Sequence, residues 1–90
     1  MLDVILKNFM EDCVDEVMPT IVSGMAICRC ERCLLDIKAV ALNQLPAKYI
    51  VTEKGEIYAK IDTMSLQFNT NIVTAVTFAA QTVGASPRHN

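Results

Sequence analysis

Three cysteines fall within six residues, in the run Cys28-Arg29-Cys30-Glu31-Arg32-Cys33, and a fourth, Cys13, lies upstream. Thiols this dense hold a metal, form disulfides or do redox chemistry. Zinc takes four soft or borderline ligands in a tetrahedron, and thiolates suit it. A C-x-C-x-x-C loop can turn three sulfurs toward one point, with the last at the start of a helix, where free backbone N–H groups favour thiolate charge. Cys13 would bring the fourth sulfur from the preceding helix, closing the site and making it structural rather than catalytic. The plainer reading of Cys13 is a small buried hydrophobe. The spacing is not that of a standard zinc finger, so a disulfide or a redox pair remains an alternative for the cluster.

The other reactive residues are few. His89 is the single histidine and lies in the tail. No Cys-His or Ser-His pair is evident, and no Gly-rich phosphate loop. Asp12, Asp15 and Glu16 read as a solvated helix face. The expectation is a protein that is not an enzyme. A net charge of -2 argues against long nucleic acid, which needs many cationic contacts. It leaves room for a small anionic ligand held by a few local Arg or Lys.

The elements that must position these residues follow from periodicity. Leu2, Leu6, Phe9, Cys13 and Val17 recur at helical steps, which predicts a first helix ending near Met18, before Pro19. Thr20 to Ile27 reads as an irregular return. Glu31 to Asn43 reads as a second helix, with Leu34, Ile37, Ala41 and Leu45 on one line and Arg32 and Asp36 as an i, i+4 pair. Pro46 ends it. Tyr49–Thr52 and Ile57–Lys60 predict a hairpin around Gly55. Asp62 is the expected N-cap of a third helix reaching Val83. Thr70, Thr74, Thr77 and Gln81 form its narrow polar stripe. Its other sides are apolar, which predicts a central helix at a dimer interface; its many Thr and Val leave a strand as the alternative.

Ninety residues, 52% of them hydrophobic, make one small domain that needs a staple or a partner chain. The expected fold is mainly α: a small helical domain over residues 1–83 with a short β-hairpin, stapled by a cysteine-held zinc and homodimeric through the C-terminal helix. Residues 84–90 are expected to form a disordered tail. Neither a signal peptide nor a membrane-inserted segment is evident. That predicts the cytosol, where disulfides are disfavoured.

The cysteine cluster is followed by Asp36-Ile37, Ala39-Val40-Ala41-Leu42-Asn43, Leu45-Pro46 and Tyr49-Ile50-Val51-Thr52. This combination resembles the late competence protein ComFB family over Cys28 to Thr52, and more loosely over most of the chain. The resemblance implies a largely helical homodimer with a cysteine-held zinc. It also implies, for part of the family, a receptor for cyclic dinucleotides, chiefly cyclic di-GMP. Such a ligand wants an Arg fork for guanine, a flat face for stacking and cations or N–H groups for phosphates. Candidates are Arg29, Arg32, Asp36, Lys38, Asn43, Lys48 and Tyr49. Family members often carry Pro-Arg before the Tyr, where this chain has Ala47-Lys48; Lys offers phosphate contact but no bidentate fork. Cyclic di-AMP stays open as the ligand. The alternatives are a competence adaptor without a small-molecule ligand and, third, a redox sensor; in each case the downstream protein partner is unknown.

Overall fold

The computed structural model describes residues 5–51, 55, 57, 58, 61 and 65–87. Strand β1 (Lys7–Asn8) leads into helix α1 (Phe9–Ser23); helix α2 (Glu31–Gln44), strand β2 (Tyr49–Ile50) and helix α3 (Leu66–Ala85) follow. The chain is mainly helical, as its periodicity requires.

Helix α1 differs from expectation at both ends. It starts at Phe9 rather than near Leu2, because Asn8 takes the N-cap: its side-chain oxygen accepts from the Met10 N–H at 3.1 Å. Glu11 and Asp12 then occupy the first turn, where negative charge suits the helix dipole. Ile5 and Leu6 stay exposed. At the other end the helix does not stop before Pro19 but carries it inside and runs to Ser23. A proline removes one backbone hydrogen bond. Here Met18 and Val22, on either side of it, are buried in the core, and their packing carries the helix through.

Helix α2 starts where expected and stops shortly before Pro46. Cys33, Ile37 and Ala41 are its buried residues. Helix α3 is capped by Ser65, whose Oγ accepts from the Phe68 N–H at 3.1 Å; the expected cap, Asp62, lies outside the described residues. The alternative of a strand does not hold. Thr70 and Thr82 donate their hydroxyls to the carbonyls of Leu66 and Phe78, at 2.8 and 2.9 Å, a geometry that accommodates Thr in a helix. The helix also passes Val83 and Gly84 to end at Ala85, so residues 84 and 85, expected in the tail, are helical. His89 lies outside the described residues.

A two-stranded antiparallel pair is present, but its partners differ from the expected hairpin. Lys7 pairs with Ile50 and Asn8 with Tyr49. Ile57 and Tyr58 are helical, so the second strand comes from before α1. Thr52 to Lys54, with Ala59 and Lys60, lie outside the described residues.

Helix α3 packs across both α1 and α2. Its Ile72, Val76, Ala79, Ala80 and Val83 join Met10 and Val14 of α1 and Ile37 and Ala41 of α2 in one core. The small Ala79 and Ala80, fully buried, let the helices approach closely. The apolar character of α3 is thus answered first within its own chain.

Candidate functional site

The loop between α1 and α2 and the first turn of α2 bring three cysteines together. The sulfurs of Cys28, Cys30 and Cys33 all lie within 4.8 Å of one another. Zinc–sulfur bonds of about 2.3 Å in a tetrahedron place neighbouring sulfurs about 3.8 Å apart, so a modest contraction brings these three onto one ion. Cys30 is the N-cap of α2, its sulfur accepting from the Cys33 N–H at 3.4 Å. Cys33 is buried, Cys28 half-buried and Cys30 exposed.

Electrostatics give the cluster its chemical character. Burial pushes the Cys33 thiol up to about 12, with further upward pushes from Cys30 and Cys28. Three thiols this close resist joint ionisation, because each thiolate raises the cost of the next. A dication inverts that balance and holds all three deprotonated. The donor set therefore fits a thiophilic metal such as zinc.

Cys13 is not brought to this group. It is buried in the core and lines a cleft of about 1120 Å³ with Phe9, Glu16, Val17 and Ile72. Its thiol is raised first by burial, then by Glu16 and Asp12, with Lys48 pulling the other way. The reason is the length of α1. Because the helix runs to Ser23, Cys13 sits about 15 Å of helix short of its end, and the cysteine loop begins beyond that end.

The candidate ligand residues divide. Arg29 caps α1: its Nη1 donates to the carbonyls of Val22 at 3.0 Å and Met25 at 3.3 Å. Lys38 bridges α2 to α1 through Asp15 at 2.9 Å. Lys48 lies over the Phe68 ring, 5.9 Å from its centre, in the range of a cation–π contact. Arg32, Asp36 and Asn43 share one side of α2, since 100° per residue puts them within about 40° of each other. Arg32 and Asn43 are exposed and Asp36 half-buried. The expected Arg32–Asp36 ion pair does not form among the described residues. Tyr49 is exposed on β2, beyond the far end of α2.

Asn8 was not among the candidates. Its Oδ1 also accepts the Lys48 N–H at 2.8 Å, so it ties the segment after α2 to the start of α1. A lone Asn in an apolar-periodic stretch signals a cap, but not a partner forty residues away.

A family model described as late competence development protein ComFB matches residues 7–87. The chain belongs to the ComFB family. A solved structure, the late competence protein ComFB from Bacillus subtilis, is similar to it: 26% identity, a TM-score of 0.80, and coverage of 94% of this chain and 97% of that one. No curated protein sequence matches it. The ComFB match spans every element described above, from β1 to the end of α3. Among the described residues no helix is long and apolar enough to cross a membrane.

Proposed function

We propose that this ComFB-family chain is a non-enzymatic cytosolic receptor for a cyclic dinucleotide, cyclic di-GMP foremost, built as a zinc-stapled homodimer. The observation that carries this reading is the stripe of Arg32, Asp36 and Asn43 along one accessible side of α2, which starts at the cysteine group. Arg32 offers a planar fork to a guanine edge, and Asp36 accepts from guanine N–H donors. Asn43 adds an amide, and Tyr49 a face on which a base can stack. The metal would be held by Cys28, Cys30 and Cys33 and would supply a fixed start to α2. Arg29 supports the loop rather than the ligand, since its guanidinium is bonded to the carbonyls of Val22 in α1 and Met25 just beyond it.

Arg32 and Asn43 are about 16 Å apart along the helix, so the ligand would lie along α2 rather than sink into a pit. A second copy would enclose it. Leu66, at 82% exposure, and Val73, at 44%, give α3 an apolar outer side for that copy. A second reading, an adaptor without a small-molecule ligand, draws on Leu35. That residue is exposed on the rim of a cleft of about 670 Å³ whose floor includes Met18 and Val22.

Isothermal titration with cyclic di-GMP and cyclic di-AMP tests the receptor. Binding is expected at ligand concentrations of about 100 μM or below, and Arg32→Ala and Tyr49→Ala are expected to weaken it. Silence with both ligands sinks the receptor and leaves the adaptor.

A further inference from the structure

Gly84 is the penultimate residue of α3, with the loop before the cysteines pressed against it. A Cβ placed on Gly84 would meet Cγ2 of Ile27 at 2.5 Å and its Cβ at 3.2 Å. Two carbons sit comfortably at about 3.5 Å, so the first approach is about 1 Å too close. The clash is not with a flexible tip. Ile27 branches at Cβ, and its χ1 is stiff, so relief requires the Ile27 segment and the last turn of α3 to move apart. Ile27 is the residue immediately before Cys28.

On its other side the same loop is tied by Arg29, which donates to the carbonyl of Val22 in the last turn of α1 and to that of Met25 just after it. The segment that carries Cys28 and Cys30 is thus fixed at two neighbouring residues, by α3 through Ile27 and by α1 through Arg29. The loaded site fixes its metal–sulfur bonds to within about 0.2 Å, so the loop must be able to bring all three sulfurs to that geometry. A displacement several times larger at Ile27 reaches Cys28 directly.

We infer that Gly84 is a positioning residue for the cysteine metal site: its missing side chain lets α3 seat Ile27 and thereby sets Cys28 against Cys30 and Cys33. The inference rests on the reading that these cysteines bind zinc. It also couples the last turn of α3 to the metal, since whatever shifts one shifts the other reciprocally.

The test is zinc competition against a chromophoric chelator on the full chain, with helical circular dichroism recorded alongside. Gly84→Ala is expected to weaken zinc binding about tenfold or more, as loss of supporting contacts around metal ligands does. Intrinsic propensity would act oppositely, since Ala favours helix over Gly. Ile27→Ala removes the clashing methyl, so adding it to Gly84→Ala is expected to restore affinity toward that of Ile27→Ala alone. Zinc affinity unchanged in Gly84→Ala overturns the inference. If Gly84→Ala loses its helical signal, the double variant decides. Recovery of both helix and zinc affinity supports the positioning role, and a refolded double variant that still binds zinc weakly overturns it. Absence of zinc binding by the unaltered chain is a separate result, and it removes the metal reading beneath the inference.

Discussion

Each cysteine has its own consequence. Cys28, Cys30 and Cys33 share one point, so replacing any one with Ser should abolish stoichiometric zinc in native mass spectrometry. Cys13→Ala should keep the metal and lose about 1–2 kcal/mol of stability, the cost of a small void in a packed core. Loss of zinc in Cys13→Ala would refute this division of roles. The raised Cys33 thiol sets two pH dependences. Metal must displace its proton, so zinc affinity should climb with pH, by up to about tenfold per unit for each proton released. In the metal-free protein, folding lifts this thiol from 9.0 to about 12. Its contribution to stability is therefore complete below pH 9.0 and is lost as pH rises through about 12. Cys13 is raised in the same direction. Thermal melts of metal-free protein at pH values of about 8 and about 11 should show the fall. The three clustered thiols were legible because their spacing is local. Cys13 was not, because its position relative to them depends on where α1 ends.

That end is a matter of the helix as a unit. Pro19 reads as a stop signal, and the exposed face of α1 agrees with it; the buried Met18 and Val22 do not, and their burial in the shared core wins. The proline still leaves the Asp15 carbonyl without its usual N–H donor. Pro19→Ala should restore that bond and raise stability by about 1–2 kcal/mol, after allowing for the more flexible unfolded chain. A melting temperature that stays put or falls would contradict this. The strands teach a related lesson. Tyr49 and Ile50 were legible as strand from their composition. Their partner was not, since strand pairing across forty residues leaves no local mark and a nearby Gly55 suggests a shorter route. Helix α3 was legible as apolar and central; its start at Ser65 was not, because a sequence with Asp and Ser three residues apart offers two acceptable caps.

On the scale of the molecule, the core is complete within one chain, yet α3 still exposes Leu66 and Val73. If two copies pair through α3 as proposed, Val73→Asp should shift them toward monomer in sedimentation velocity without unfolding the chain, because the residue is 44% exposed and lies outside the buried core. A dimer unaffected by the change would place the interface elsewhere. The expectation of a homodimer rested on an excess of apolar residues, and a sequence does not say which of them its own chain will cover. The Asn8 tie carries a final consequence, for the order in which the chain assembles. One amide oxygen starts α1 and also holds Lys48, forty residues on. The loop it closes contains α1, the cysteines and α2. Closing a loop costs entropy that grows only slowly with its length, about 0.6 kcal/mol per doubling. The tie thus gains little from being early and much from waiting until the two helices have docked and shortened the distance. Asn8 is therefore expected to fasten late, and extra residues inserted between α1 and α2 are expected to weaken it by only about 0.6 kcal/mol per doubling of the loop.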